Sequence, residues 1–145
     1  MSLLLPADFH RRLAEDGPDA VIFADAEGRI RFWNAAATRI FGFSAEEALG
    51  QTLDLIVPER QRARHWEGYN RVMAGGESRY GAGDLLAVPA QRKDGTRISI
   101  EFTILPLHDD GGAILGIAAF LRDVTSRFTE MQTLRRQVAE LKARP

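Results

Sequence analysis

Residues 96–107 read TRISIEFTILPL, and the reading of this stretch decides the fold. Ile98, Ile100, Phe102 and Ile104 alternate with Ser99, Glu101 and Thr103, so a strand here buries one face and keeps the other polar. Asp94-Gly95 just before it are hairpin-turn residues, and GDLLAVPAQR (83–92) supplies the strand leading into that turn. On the far side, HDDGG (108–112) makes another turn, and AILGIAAFLRDV (113–124) is a strand that is apolar almost throughout. The pattern predicts three consecutive strands in a meander.

Upstream, DAVIFADAEGRIRFWN (19–34) reads as two short strands joined at Glu27-Gly28. Ile30 and Phe32 alternate with Arg29 and Arg31, which places Trp33 on the face opposite Ile30 and Phe32. Asn34 caps a helix over AAATRIFG (35–42) that stops at Gly42. Ser44 and Glu47 form a capping box for SAEEALG (44–50). TLDLIV (52–57) is a short apolar element, and Pro58 opens the longest interior helix, which runs to about Ala74 and ends at Gly75-Gly76. A first helix is expected over 6–16, with Pro6 in its first turn and Gly17 at its end. Two strands, several helices and then three strands suit one antiparallel sheet with helices over one face, an α+β fold.

From Thr125 the pattern changes. Met131, Leu134, Val138 and Leu141 are spaced 3, 4, 3 and form an a/d seam among Arg, Gln, Glu and Lys. This predicts a terminal amphipathic helix that pairs with a second copy; packing on its own domain is the alternative. The organisation is a flanking helix within 1–13, a domain over 14–124 and the terminal helix over 125–145.

A chain of 145 residues with 45% hydrophobic and 27% charged residues suits one folded domain. With 19 basic and 20 acidic residues, the net charge of -1 gives no reason to expect nucleic acid as a partner. Cysteine is absent, which excludes disulfides, thiolate catalysis, Cys-held metals and a Cys–flavin adduct. No apolar run is long enough for a membrane helix, and the opening MSLLLPADFH is not a signal peptide, so the expected location is cytoplasmic. No Ser–His–Asp set, HExxH motif or carboxylate pair points to an enzyme.

Taken in order, three stretches resemble a PAS domain. DAVIFADAEGRIRFWNAAATRIFGFSAEEALGQ (19–51) resembles its opening strands and helix-turn, and RKDGTRISIEFTI (92–104) the strand pair that follows. GIAAFLRDVTSR (116–127) resembles the last strand with its exit into a signalling helix. The resemblance implies a five-stranded antiparallel sheet, a pocket between sheet and helices, and a sensory or dimerising role passed to a downstream effector. It also implies that Asp123 and Thr125 hold the junction between the sheet and the terminal helix.

Within that frame His65 is the leading candidate. His65, Tyr69 and Val72 share one helix face, and Ile98, Ile100, Phe102 and Ile117 are expected on the facing strands, together lining the pocket. Haem-binding PAS oxygen sensors present an axial histidine from this helix, which makes His65 the candidate haem-iron ligand. Two departures stand against the likeness. His65 lies four residues before Tyr69 where the family has three, and the position of the family's oxygen-binding arginine falls on Leu86. A flavin stacked on Trp33 or Trp66 is less supported, because a flavin ring wants amide partners and asparagine is scarce, with Asn34 serving as a cap and Asn70 on a helix flank.

The remaining motifs read as structure. HDDGG suits a turn rather than a metal site, YGAGD (80–84) lacks a dinucleotide-loop setting, and Arg60, Arg62 and Arg64 read as the solvated side of a helix. The functional expectation is a sensory module that binds a small ligand or partner in its core pocket and transmits the state through its C-terminal helix as a homodimer; a haem-based gas or redox sensor and a ligand-free interaction module are the alternatives.

Overall fold

The structure is a computed structural model, and it describes residues 4–75 and 88–144. Its order is α1 (Phe9–Asp16), β1 (Ala20–Asp25), β2 (Ile30–Trp33), α2 (Ala35–Phe41), α3 (Ala45–Ala48), a 3-10 turn (Leu53–Leu55), α4 (Glu59–Met73), β3 (Val88–Gln91), β4 (Arg97–His108), β5 (Ile114–Asp123) and α5 (Thr125–Ala143). The five strands form one antiparallel sheet in the order β2-β1-β5-β4-β3, with the 3-10 turn and helices α2 to α4 on one face. The expected meander is present as β3-β4-β5. Residues 83–87 of its first stretch, Gly76 and the YGAGD motif lie outside the described residues.

Local chemistry explains the element ends. Asn34 Oδ1 accepts from Ala37 N–H at 3.0 Å and so starts α2. Gly42 ends it in the left-handed region at φ 84°. Ser44 and Glu47 form the reciprocal capping box at 3.1 and 2.9 Å. At α1 the structure differs from the expectation: the helix begins at Phe9, after Pro6, and Gly17 ends it in extended rather than left-handed backbone.

The β1–β2 pairing corrects one side-chain assignment. Phe23 faces Phe32 and Ala24 faces Ile30, so Arg31 is an extra residue in β2. The inserted residue shifts the alternation by one. Ile30 and Trp33 therefore share the core face, at 0% and 4% exposure, and Phe32 lies on the other. Arg31 Nε donates to Asp25 Oδ2 at 2.7 Å beside this irregularity. Trp33 packs on Phe41 and Phe43 and donates to Thr38 Oγ1 and the Phe43 carbonyl.

The main core joins Ile22, Ile30, Trp33, Phe41, Ile98 and Leu121. A smaller cluster of Ala24, Tyr69, Val72 and Ile117 seats α4 on β1 and β5. Burying an aromatic or branched side chain here stabilises the fold by roughly 1.5–3 kcal/mol each. At the exit, Val124 N–H donates to the Ser99 carbonyl at 2.8 Å as α5 leaves the sheet. No described residue of α5 is buried, so the helix does not lie along its own domain.

Candidate functional site

Between α4 and the inner face of the sheet lies a cavity of about 730 Å³, within the roughly 300–1,000 Å³ range of small-molecule sites. The walls follow from periodicity. On α4, Gln61, His65, Gly68 and Val72 recur at helical spacing; on the sheet, Ile22 and Ala24, Ile100, Phe102 and Ile104, and Ile117, Ala119 and Leu121 recur at strand spacing. The lining is mostly aliphatic, with polar groups on the α4 side.

The structure brings His65, Tyr69, Val72, Ile100, Phe102 and Ile117 together around this cavity. Ile98 shares their strand face but sits in the main core and does not line it. Neither Trp33 nor Trp66 is part of the wall, which leaves no indole there for a flavin to stack on. Leu86, at the arginine position, lies outside the described residues. Gln61 lines the cavity without having been singled out in the sequence. Its signal was its place one turn before His65 on the same face.

Tyr69 fixes the height of α4. Its hydroxyl donates to the backbone carbonyls of Asp25, at 2.5 Å, and Ala24, at 3.1 Å. Burial, reinforced by the nearby carboxylates of Asp25 and Glu27, pushes the phenol well above its ordinary value and keeps it a donor. Trp66 secures the other side of the helix, donating from Nε1 to Asp54 Oδ1 at 2.8 Å and covering Gly28. Arg62 is not simply solvated: its guanidinium donates to the Val57 and Asp54 carbonyls, tying the start of α4 to the preceding turn.

His65 lies against Trp66 and Tyr69, with ring centroids 4.8 and 6.0 Å away. Burial lowers its pKa from the ordinary 6.5, opposed by the charge of Asp54, so the imidazole is biased toward its neutral form. Among the described residues, His65 Nδ1 and Gln61 Oε1 are buried and have no hydrogen-bond partner. A neutral imidazole on an aliphatic cavity is a competent axial ligand for haem iron, and the cavity volume and lining fit such a group.

Turn chemistry occupies HDDGG: Asp109 Oδ1 accepts from the N–H groups of Gly111 and Ala113, both at 2.9 Å. Asp25 does the same in the β1–β2 turn. Burial works to raise its pKa, but Arg31 and the N–H groups of Arg29 and Glu27 hold the carboxylate below its ordinary value.

At the sheet exit, Thr125 Oγ1 accepts from Ser99 N–H at 3.0 Å and donates to Asp123 Oδ1 at 2.5 Å. Arg127, two residues further on, pairs with Glu101. Met131, Leu134, Val138 and Leu141 are 45–64% exposed along α5.

Comparison with known proteins agrees with this architecture. The chain is 32% identical over 133 residues to the sensor protein FixL of Bradyrhizobium diazoefficiens, covering 87% of this chain and 26% of that protein. It is 23% identical over 117 residues to the oxygen sensor protein DosP of Escherichia coli, covering 81% of this chain and 14% of that protein. The chain thus spans about a quarter or less of these curated relatives. Among solved structures, the PAS domain of a Colwellia psychrerythraea protein superposes with a TM-score of 0.70 at 20% identity, covering 81% of this chain and 95% of that one. Residues 14–128 match the family model described as PAS fold. The match spans most of the chain, and together with the five-stranded sheet it establishes that this protein belongs to the PAS fold family.

Proposed function

We propose that this chain is the sensory module of a larger signalling protein, holding a small ligand between α4 and the sheet. The aliphatic cavity of about 730 Å³, with one imidazole in its wall, carries this reading. A ligand there touches α4, β4 and β5 together. Its binding energy biases how β4 and β5 meet α5 through Ser99, Asp123 and Thr125. The exposed seam of Met131, Leu134, Val138 and Leu141 joins two copies and passes that bias to an effector.

Mass spectrometry of the purified, denatured protein tests the first step: a stoichiometric co-purified small molecule supports it. A protein that carries none and shows no stabilisation by any member of a cofactor and metabolite panel overturns it. Light scattering tests the second. The full chain should have twice the mass of a version ending at Arg127, relative to their sequence masses. Equal association states would remove α5 as the dimer contact.

A second reading is favoured by a specific observation: His65 stands on the wall with its pKa lowered by burial, and the relatives include a protein described as an oxygen sensor. In this reading His65 is the axial ligand of a haem, which would supply an iron centre able to take up a diatomic gas or an electron. The aliphatic side chains of β1, β4 and β5 would keep water away from such a group. Protein supplied with haem should then show a Soret band that His65→Ala abolishes. No Soret band in the native sequence would overturn this reading and leave the broader one standing.

A further inference from the structure

We propose that Gln61 is a positioning residue for His65: its side-chain carbonyl accepts the Nδ1–H of the imidazole and leaves the Nε2 lone pair for the cavity. The inference deepens the reading of this cavity as a ligand site, but the tautomer it assigns exists without any ligand. It rests on a coincidence of two unmet needs. Gln61 Oε1 and His65 Nδ1 are both sealed from solvent without a partner among the described residues. They stand at i and i+4 on α4, where side chains on one face are neighbours, and both residues line the cavity.

The chemistry of the two atoms is complementary. An amide oxygen only accepts, whereas Nδ1 of a neutral imidazole donates when it carries the proton. A buried polar atom left alone is costly, and one hydrogen bond between these two satisfies both. Rotation about their side-chain torsions can bring the two atoms together, because the residues occupy successive turns of one helix. Asp54, the charged group that acts on His65, is engaged elsewhere, accepting from Trp66 at 2.8 Å. Nε2, in contrast, is neither sealed nor bonded among the described residues.

The consequence is a statement about ligand class. With the proton held on Nδ1, the cavity meets an imidazole lone pair, so the site recognises a metal centre or a hydrogen-bond donor on an otherwise apolar molecule. The opposite tautomer would present a donor and select a carbonyl or carboxylate instead. An acceptor behind the ring that holds the Nδ1 proton in this way is a general device for making Nε2 a ligand.

Long-range proton–nitrogen correlation spectra of the ligand-free full chain, labelled with nitrogen-15 histidine, test this directly. His10→Gln and His108→Gln in the same chain leave His65 as the only signal. At pH 8 its Nδ1 should show a protonated-type shift and its Nε2 a lone-pair shift. Gln61→Leu and Gln61→Asn, the second too short to reach, should each lower the ratio of the Nδ1–H to the Nε2–H form by roughly tenfold, and Gln61→Glu should restore it. A native spectrum dominated by the Nε2–H form overturns the proposal by itself, even where a variant fails to fold. So does a ratio unchanged by Gln61→Leu in folded protein. Success here together with a failed ligand search would refute only the reading of the cavity as a ligand site.

Discussion

Gly28→Ala is the substitution whose cost the structure determines most directly. Gly28 sits in the β1–β2 turn at φ +80°, and a Cβ built there lies 2.3 Å from both Cη2 and Cζ3 of Trp66. Two independent costs follow. Holding an alanine in the left-handed region costs about 1–2 kcal/mol. Trp66 must also retreat, which breaks its 2.8 Å bond to the Asp54 carboxylate, an interaction of about 1.5–3 kcal/mol. The turn cannot move away instead, because Gly28 N–H donates to the Asp25 carbonyl and its own carbonyl accepts from Leu53 N–H. The expected destabilisation is about 2.5–5 kcal/mol, a fall in Tm on the order of 10 °C for a domain of this size. Urea unfolding followed by tryptophan fluorescence and circular dichroism measures it. The decisive control is the cycle with Trp66→Ala, which removes the ring. In that background Gly28→Ala should cost only the conformational share of about 1–2 kcal/mol. Equal costs in both backgrounds, or a cost under about 1 kcal/mol in the native one, would refute the claim that this glycine exists to let α4 close on the turn.

Three further outcomes follow from the same geometry. Tyr69→Phe removes the hydroxyl that donates to the Asp25 and Ala24 carbonyls and should lower unfolding free energy by about 1–3 kcal/mol; a neutral effect in urea would show that α4 is not held this way. Because the folded state resists protonating His65 relative to the ordinary value of 6.5, its contribution is present above that pH. It is lost as pH falls from there toward the depressed folded pKa, since the unfolded chain binds the extra proton. His65→Gln should therefore flatten the stability profile in this window but leave the deeper acid loss from Asp25 and Glu47; identical profiles would contradict it. Thr125→Val keeps the shape but removes the acceptor for Ser99 N–H, so it should cost about 1 kcal/mol and speed hydrogen exchange at Ser99; unchanged exchange there would argue against a latched junction.

Much of the fold was legible because its signals are local. Alternation across Ile98 to Ile104 follows from strand geometry over neighbouring residues, and the capping box at Ser44 and Glu47 is complete within four. The β2 assignment failed at Trp33 because a single inserted residue, Arg31, reverses every later side chain, and nothing in RIRFW announces an insertion. His65, Tyr69 and Val72 could be read as one face from helical period alone. Gln61 belongs to that same face, but an ordinary glutamine gains meaning only when its oxygen is found sealed.

The amino-acid sequence alone determined the order of elements, their caps and turns, and the polarity of each face, because these depend on neighbours within a turn of helix or a pair of strand residues. Only the tertiary structure decided that Ile22 from β1 and Leu121 from β5 close one cavity with α4, that Trp66 needs a glycine beneath it, and that α5 leaves its seam bare. Those facts rest on strand register and on contacts between residues some forty to a hundred positions apart. Register is a property of the whole sheet, so no short stretch of chain encodes it.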